Sequence, residues 1–161
     1  MIALRNKKSV QSPNVTAEAT VPVDIVAYAE RLGVNVWEQD LPEGISGEIR
    51  RDARHGGPSG YSILVNNRDS RTRKRFTVAH EIAHFLLHRD RIGDGLVDSS
   101  MYRSGLSTLA EVQANKKAAD ILMPMHLIER EIKSGAGSIA ILARRFDVSE
   151  QAMSIRLGVP G

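Results

Sequence analysis

Apolar positions along this chain follow two different periods, and the change from one to the other divides it. Ile25, Val26, Ala29 and Leu32 fall three or four apart, which predicts a helix with Pro22 at its first position and Gly33 at its end. Val34-Asn35-Val36-Trp37 then reads as a short strand, and Pro42 and Gly44 mark a turn. Ile45–Arg51 and Tyr61–Val65 read as two more strands joined by the loop Gly56-Gly57-Pro58-Ser59-Gly60. In the second of these, Tyr61, Ile63 and Val65 alternate with Ser62 and Leu64, the pattern of a half-buried strand.

From residue 70 onward the period is helical. Asp69 or Ser70 can cap a helix running to about Arg89. Gly93, Gly95 and the polar stretch to Gly105 read as a loop. Ser107 or Thr108 opens a helix from Leu109 to Leu122, closed by Pro124. Three shorter helices follow: Met125 to Lys133, Ser138 to Phe146, and one starting near Ser149. The sum is an α+β fold, with a small early sheet packed on two principal helices and short C-terminal helices after them. Residues 1–20 are polar, aperiodic and interrupted by Pro13, and are expected to be a mobile tail. Residues 21–161 are expected to form one domain, with the helices of 138–158 packed on it.

Composition narrows the class. At 161 residues the chain is long enough for one core, and at 42% hydrophobic and 25% charged it is ordinary for a globular domain. Aromatic residues make up only 4%, so the core must rest on aliphatic side chains. The absence of cysteine removes disulfides, thiolate metal sites and thiol nucleophiles together. No apolar run approaches the roughly 20 residues that span a bilayer, and the first eleven residues lack the apolar core of a signal peptide. A cytoplasmic protein without membrane contact is the expectation.

The net charge of +3 and pI near 9.4 are mildly basic, and Arg71-Thr72-Arg73-Lys74-Arg75 is the densest cluster. It reads as the exposed first turn of the long helix. Ala143-Arg144-Arg145-Phe146-Asp147-Val148-Ser149, followed by Ala152 and Ile155, has the phrasing of a helix-turn-helix. Asp147 stands where glycine is expected at the turn, and packing on the domain is expected there rather than direct nucleic-acid contact. His55, in the glycine-rich loop, is expected in solvent.

The chemistry lies in Phe76-Thr77-Val78-Ala79-His80-Glu81-Ile82-Ala83-His84, an H-E-x-x-H pattern within a predicted helix. Residues four apart share a helical face, so both imidazoles can address one ion. Neutral imidazole suits Zn²⁺, and a catalytic zinc keeps three protein ligands and a water. Glu81, rotated by about 100° from His80, can reach that water as general base without competing as a ligand. Phe76, Ala79, Ala83 and Leu87 surround the histidines with small or apolar residues, so the site faces inward. Candidates for a third ligand are His88, Asp90, Asp94, Asp98, Glu111, Asp120 and His126. His88, one turn further along the same helix, is too far along the axis for a tetrahedral site and suits a helix-end contact. Glu111 opens the next helix on the side of Ala114, Asn115 and Ala118, where small residues allow close approach, and it is the expected third ligand. Asn115 could orient a ligand. Tyr102, in the loop, is a weaker candidate to donate to a developing oxyanion.

Together, Arg75-Phe76-Thr77-Val78-Ala79-His80-Glu81-Ile82-Ala83-His84 and the later Glu111-Val112-Gln113-Ala114-Asn115-Lys116-Lys117-Ala118-Ala119-Asp120-Ile121-Leu122-Met123-Pro124 resemble the ImmA/IrrE family of metallopeptidases, from about Val23 to the end. The resemblance implies a gluzincin-like zinc site with Glu111 as third ligand. It also implies a protein substrate, a helix-turn-helix repressor, whose cleavage derepresses genes. Lys117 departs from the family, which usually has an aromatic there, and so removes a packing residue. Two rivals follow from the same residues: a DNA- or repressor-binding module with a purely structural zinc, and a toxin-like member of a two-gene module.

Overall fold

A computed structural model describes residues 1–4, 19–92 and 108–160. The first layer is a four-stranded sheet made of β1 (Ile2–Ala3), β2 (Val34–Gln39), β3 (Gly47–Arg51) and β4 (Tyr61–Asn66), in the spatial order β1-β2-β4-β3. β4 is central. It pairs parallel to β2, with Val36 opposite Ile63, and antiparallel to β3, with Ile49 opposite Ile63. The stretch expected as a tail opens with a strand, since Ile2 and Ala3 pair antiparallel with Glu38 and Trp37.

β4 departs from the half-buried pattern, because all six of its residues are buried. With strands paired along both edges and α2 packed on the sheet, β4 leaves no residue exposed, so its polar members must be satisfied internally. The Ser62 hydroxyl donates to Asp52 Oδ2 at 2.9 Å, and Asn66 Nδ2 donates to the Ile45 carbonyl at 2.9 Å. Burial alone would raise the Asp52 carboxyl. The His55 and Arg54 backbone N–H groups, the Ser62 hydroxyl and nearby Arg50 outweigh it and hold the carboxyl below its usual range.

The helical layer begins with α1 (Ile25–Arg31). Pro22 does not occupy its first position. Asp24 is the cap, its carboxylate accepting from the Ala27 N–H at 3.0 Å, and this satisfies a donor that the helix itself leaves open. α2 (Arg71–Leu87) is capped by Ser70, whose hydroxyl accepts from the Arg73 N–H, and a 3-10 turn (Arg89–Arg91) follows it. α2 packs on β3 and β4, so Val78, Ala79, Ile82 and Phe85 share one core with Ile49, Ile63 and Val65. The approach to β3 is close. A Cβ on Gly47 would lie 2.4 Å from Thr77 Cγ2, which fixes glycine at the start of that strand.

α3 (Thr108–Leu122) makes the largest helix–helix contact, against α2. Ala79 and Ala83 on one helix and Ala114 and Ala118 on the other are all fully buried, and their small side chains allow the two backbones to approach. α4 (Met125–Lys133), α5 (Ile139–Phe146) and α6 (Glu150–Leu157) complete the chain. α5 and α6 turn at Asp147, which holds the left-handed conformation at φ 53°. Its carboxylate takes Arg71 Nε at 2.6 Å and lies 3.4 Å from Arg75 Nε, while Arg75 also donates to the carbonyls of Asp147 and Val23. Burial lowers the Arg75 pKa, and Asp147 opposes that shift. The C-terminal helices are therefore tied to the first turns of α2, with Phe146, Val148 and Met153 buried beneath them. Within the basic run, Arg75 and Lys74 are largely covered in their pairs with Asp147 and Glu38, while Arg71 and Arg73 pair with Asp147 and Asp69 at the surface.

Candidate metal centre

Two elements bring the chemistry together. α2 carries His80, Glu81 and His84 on adjoining faces, and α3 brings Glu111 alongside from its first turn. His80 Nε2 lies 3.0 Å from His84 Nε2, Glu111 Oε2 lies 3.3 Å from His80 Nε2, and Glu111 Oε1 lies 3.2 Å from His84 Nε2. The His84 side chain is 1% exposed, that of His80 12% and that of Glu111 32%. Glu81, next to the first histidine, is buried.

These distances carry a chemical meaning. Zinc bonds to nitrogen and oxygen of about 2.0–2.1 Å, arranged tetrahedrally, separate neighbouring ligand atoms by roughly 3.3 Å. The three observed separations match the edges of one such face. Glu111 Oε1 is buried and has no hydrogen-bond partner, despite its 3.2 Å approach to His84, so the contact is a convergence of donor atoms and not a hydrogen bond. An orphaned buried carboxylate oxygen is costly, and a cation bound by both rings and the carboxylate would satisfy it. The donor set fits a divalent metal.

Each ring is held from behind. His80 Nδ1 lies 2.9 Å from Asn115 Oδ1, which places Asn115 where an orienting group belongs. His84 Nδ1 lies 3.1 Å from His88 Nδ1, and His88 Nε2 lies 3.0 Å from Gln113 Oε1. His88 is thus more than a helix-end residue, since its side chain turns back onto the site. Its spacing of four from His84 was the signal in the sequence, whereas nothing there singled out Gln113. Lys117 is half-buried on α3, His55 packs edge-on against Trp37, and Tyr102 lies outside the described residues. A groove of about 790 Å³ starts at Phe76 and Asn115, next to the centre without including it, and runs past Ala119 and Met123 to Ala152 and Arg156 on α6.

An H-E-x-x-H helix on a small sheet, with a carboxylate supplied by a second helix, defines the class: a metallopeptidase domain. The Peptidase_M78 family model, described as the IrrE N-terminal-like domain, matches residues 29–158, and the chain belongs to that family. It is 40% identical over 98 residues to the radiation response metalloprotease IrrE of Deinococcus deserti, a match covering 57% of this chain and 34% of that protein. The chain therefore spans about a third of the length of this curated relative. A solved structure titled "Mycobacterium tuberculosis transcriptional regulator" has a similar fold, with a TM-score of 0.55 at 23% identity, over 84% of this chain and 40% of that one. No described helix is long and apolar enough to cross a membrane.

Proposed function

We propose that this domain is a zinc endopeptidase, with the metal held by His80, His84 and Glu111 and with Glu81 as general base. The convergence of two Nε2 atoms and a buried carboxylate, at the separations of a tetrahedral face, carries the reading. Bound zinc would lower the pKa of a water towards neutrality and polarise the scissile carbonyl. Glu81, buried beside His80, would accept the proton of such a water and return it to the leaving amine. Asn115 keeps the His80 ring turned towards the centre through its Nδ1. β3 is an edge strand lying against α2, so an extended substrate can pair along it, and the adjoining groove can take side chains.

The substrate we propose is a cytoplasmic regulatory protein, specifically a helix-turn-helix repressor. The resemblance to the ImmA/IrrE family and the regulator title of the similar fold support this choice. Direct nucleic-acid binding has no part in the proposal, which rests on the metal centre; each of the four cations in the basic run of α2 pairs with a carboxylate of this chain.

Zinc per chain, measured by elemental analysis on wild type and on Glu111→Ala, tests the site. One zinc per wild-type chain, clearly depleted in the variant, is the expected result. A folded wild type that cannot be loaded with zinc would overturn the proposal.

A further inference from the structure

We infer that Gln113 and His88 form a hydrogen-bond chain that fixes the tautomer of the His84 ring, holding its Nε2 lone pair towards the metal position. The inference rests on the zinc-site reading above and assigns two positioning residues that take no ligand themselves.

The chain is read from its outer end. The Gln113 amide presents its oxygen to His88 Nε2 at 3.0 Å, and that oxygen can only accept, so His88 Nε2 carries the proton. In a neutral imidazole the other nitrogen is then bare. His88 Nδ1 therefore accepts, and the group 3.1 Å away, His84 Nδ1, must donate. With its proton on Nδ1, His84 has its lone pair on Nε2, the atom that faces His80 and Glu111. Free histidine prefers the proton on Nε2, so the arrangement holds the tautomer that solution disfavours.

Burial makes the chain consequential. His84 and His88 are 1% and 5% exposed, so neither ring has ready access to water as an alternative partner. Gln113 itself is exposed and belongs to α3, the helix that supplies Glu111 and Asn115. Each histidine ligand thus has its Nδ1 satisfied through an amide oxygen of α3, directly from Asn115 for His80 and through the His88 ring for His84. Outer partners of this kind are worth about ten- to a hundredfold in metal affinity.

The test is zinc affinity of the full chain, measured by competition with a chromophoric chelator, for wild type, Gln113→Leu and Gln113→Glu. Gln113→Leu removes the acceptor at an exposed position, and thermal unfolding of the zinc-free form checks that the fold is unchanged. We expect Gln113→Leu to lose at least about tenfold in affinity. We expect Gln113→Glu, which keeps an acceptor, to bind at least as well as wild type. In zinc-free wild type, long-range ¹H–¹⁵N spectra should place the His84 proton on Nδ1, and Gln113→Leu should shift it towards Nε2. A smaller loss in Gln113→Leu, an equal loss in Gln113→Glu, or a wild-type His84 proton on Nε2 would each overturn the chain. Failure of wild type to take up zinc at all would instead overturn the site on which it rests.

Discussion

Glu81 and Glu111 have the same functional group and opposite assignments, set by where the backbone holds them. Glu111 reaches both histidine rings from another helix. Glu81 shares α2 with the histidines and is turned away from His80 by one helical step. Glu81→Gln is therefore expected to retain wild-type zinc content while losing cleavage of its protein substrate by about a hundred- to ten-thousandfold. Proton transfer of the kind proposed for it typically contributes 10²–10⁴-fold. Zinc analysis beside a cleavage assay checks this, and an active Glu81→Gln enzyme would remove Glu81 from the mechanism. At this scale the sequence was informative for residues whose spacing mirrors helical geometry. His80, Glu81 and His84 could be placed relative to one another by period alone, and Glu111 by the small residues that follow it on the same helix. Gln113 could not, because a glutamine at an exposed helical position looks like any solvated one until its partner is known.

The elements were legible where local rules act alone. Ser70 caps its helix as the sequence allows, and Ser138 and Ser149, read as helix starts, are the caps of theirs. The rules failed where tertiary context overrode them. Alternation suggested a half-buried β4, but a central position buried it entirely, and Asp24 displaced Pro22 as the start of α1. Asp147 is the most instructive case. A left-handed position favours glycine, and aspartate is tolerated there at a cost of roughly 1 kcal/mol. In return the carboxylate binds Arg71 and Arg75 on the metal-site helix. Two substitutions separate these effects. Asp147→Ala keeps the backbone cost and loses the ion pairs, leaving the largely buried Arg75 without its carboxylate, and should destabilise the domain by about 1–3 kcal/mol. Asp147→Gly loses the same ion pairs but relieves the backbone, and should be less destabilised than the alanine variant by roughly 1 kcal/mol. Urea unfolding gives the order wild type, glycine, alanine. A glycine variant more stable than wild type would mean that the ion pairs contribute less than the left-handed backbone costs.

At the scale of the whole molecule, the chain divides its work between layers. The sheet and α1 give α2 a rigid bed, and α3 carries the groups that complete the centre from the opposite side. The α+β class and this order of layers follow from the change of hydrophobic period near residue 70. The strand order does not, because a β3 that returns on the far side of β4 leaves no mark in a pattern of alternation.

One consequence concerns the topology of the chain and not its chemistry. His84 and Glu111 are 27 residues apart in sequence and meet at one point in space. An ion held by both is a reversible cross-link, closing a loop that an unfolded chain could close only at an entropic penalty of roughly 3.5 kcal/mol. The ion should thus bind the native chain and abandon the unfolded one. Free zinc at a hundred times its dissociation constant then adds about 2.7 kcal/mol to the folding free energy, which raises the melting temperature of a domain this size by about 5–11 °C. Calorimetry of the zinc-loaded and chelator-treated chain measures that rise, and equal melting temperatures would mean that no ion joins the two helices. If the rise is found, the metal that serves the reaction is also a clasp, and zinc supply sets how long the fold survives.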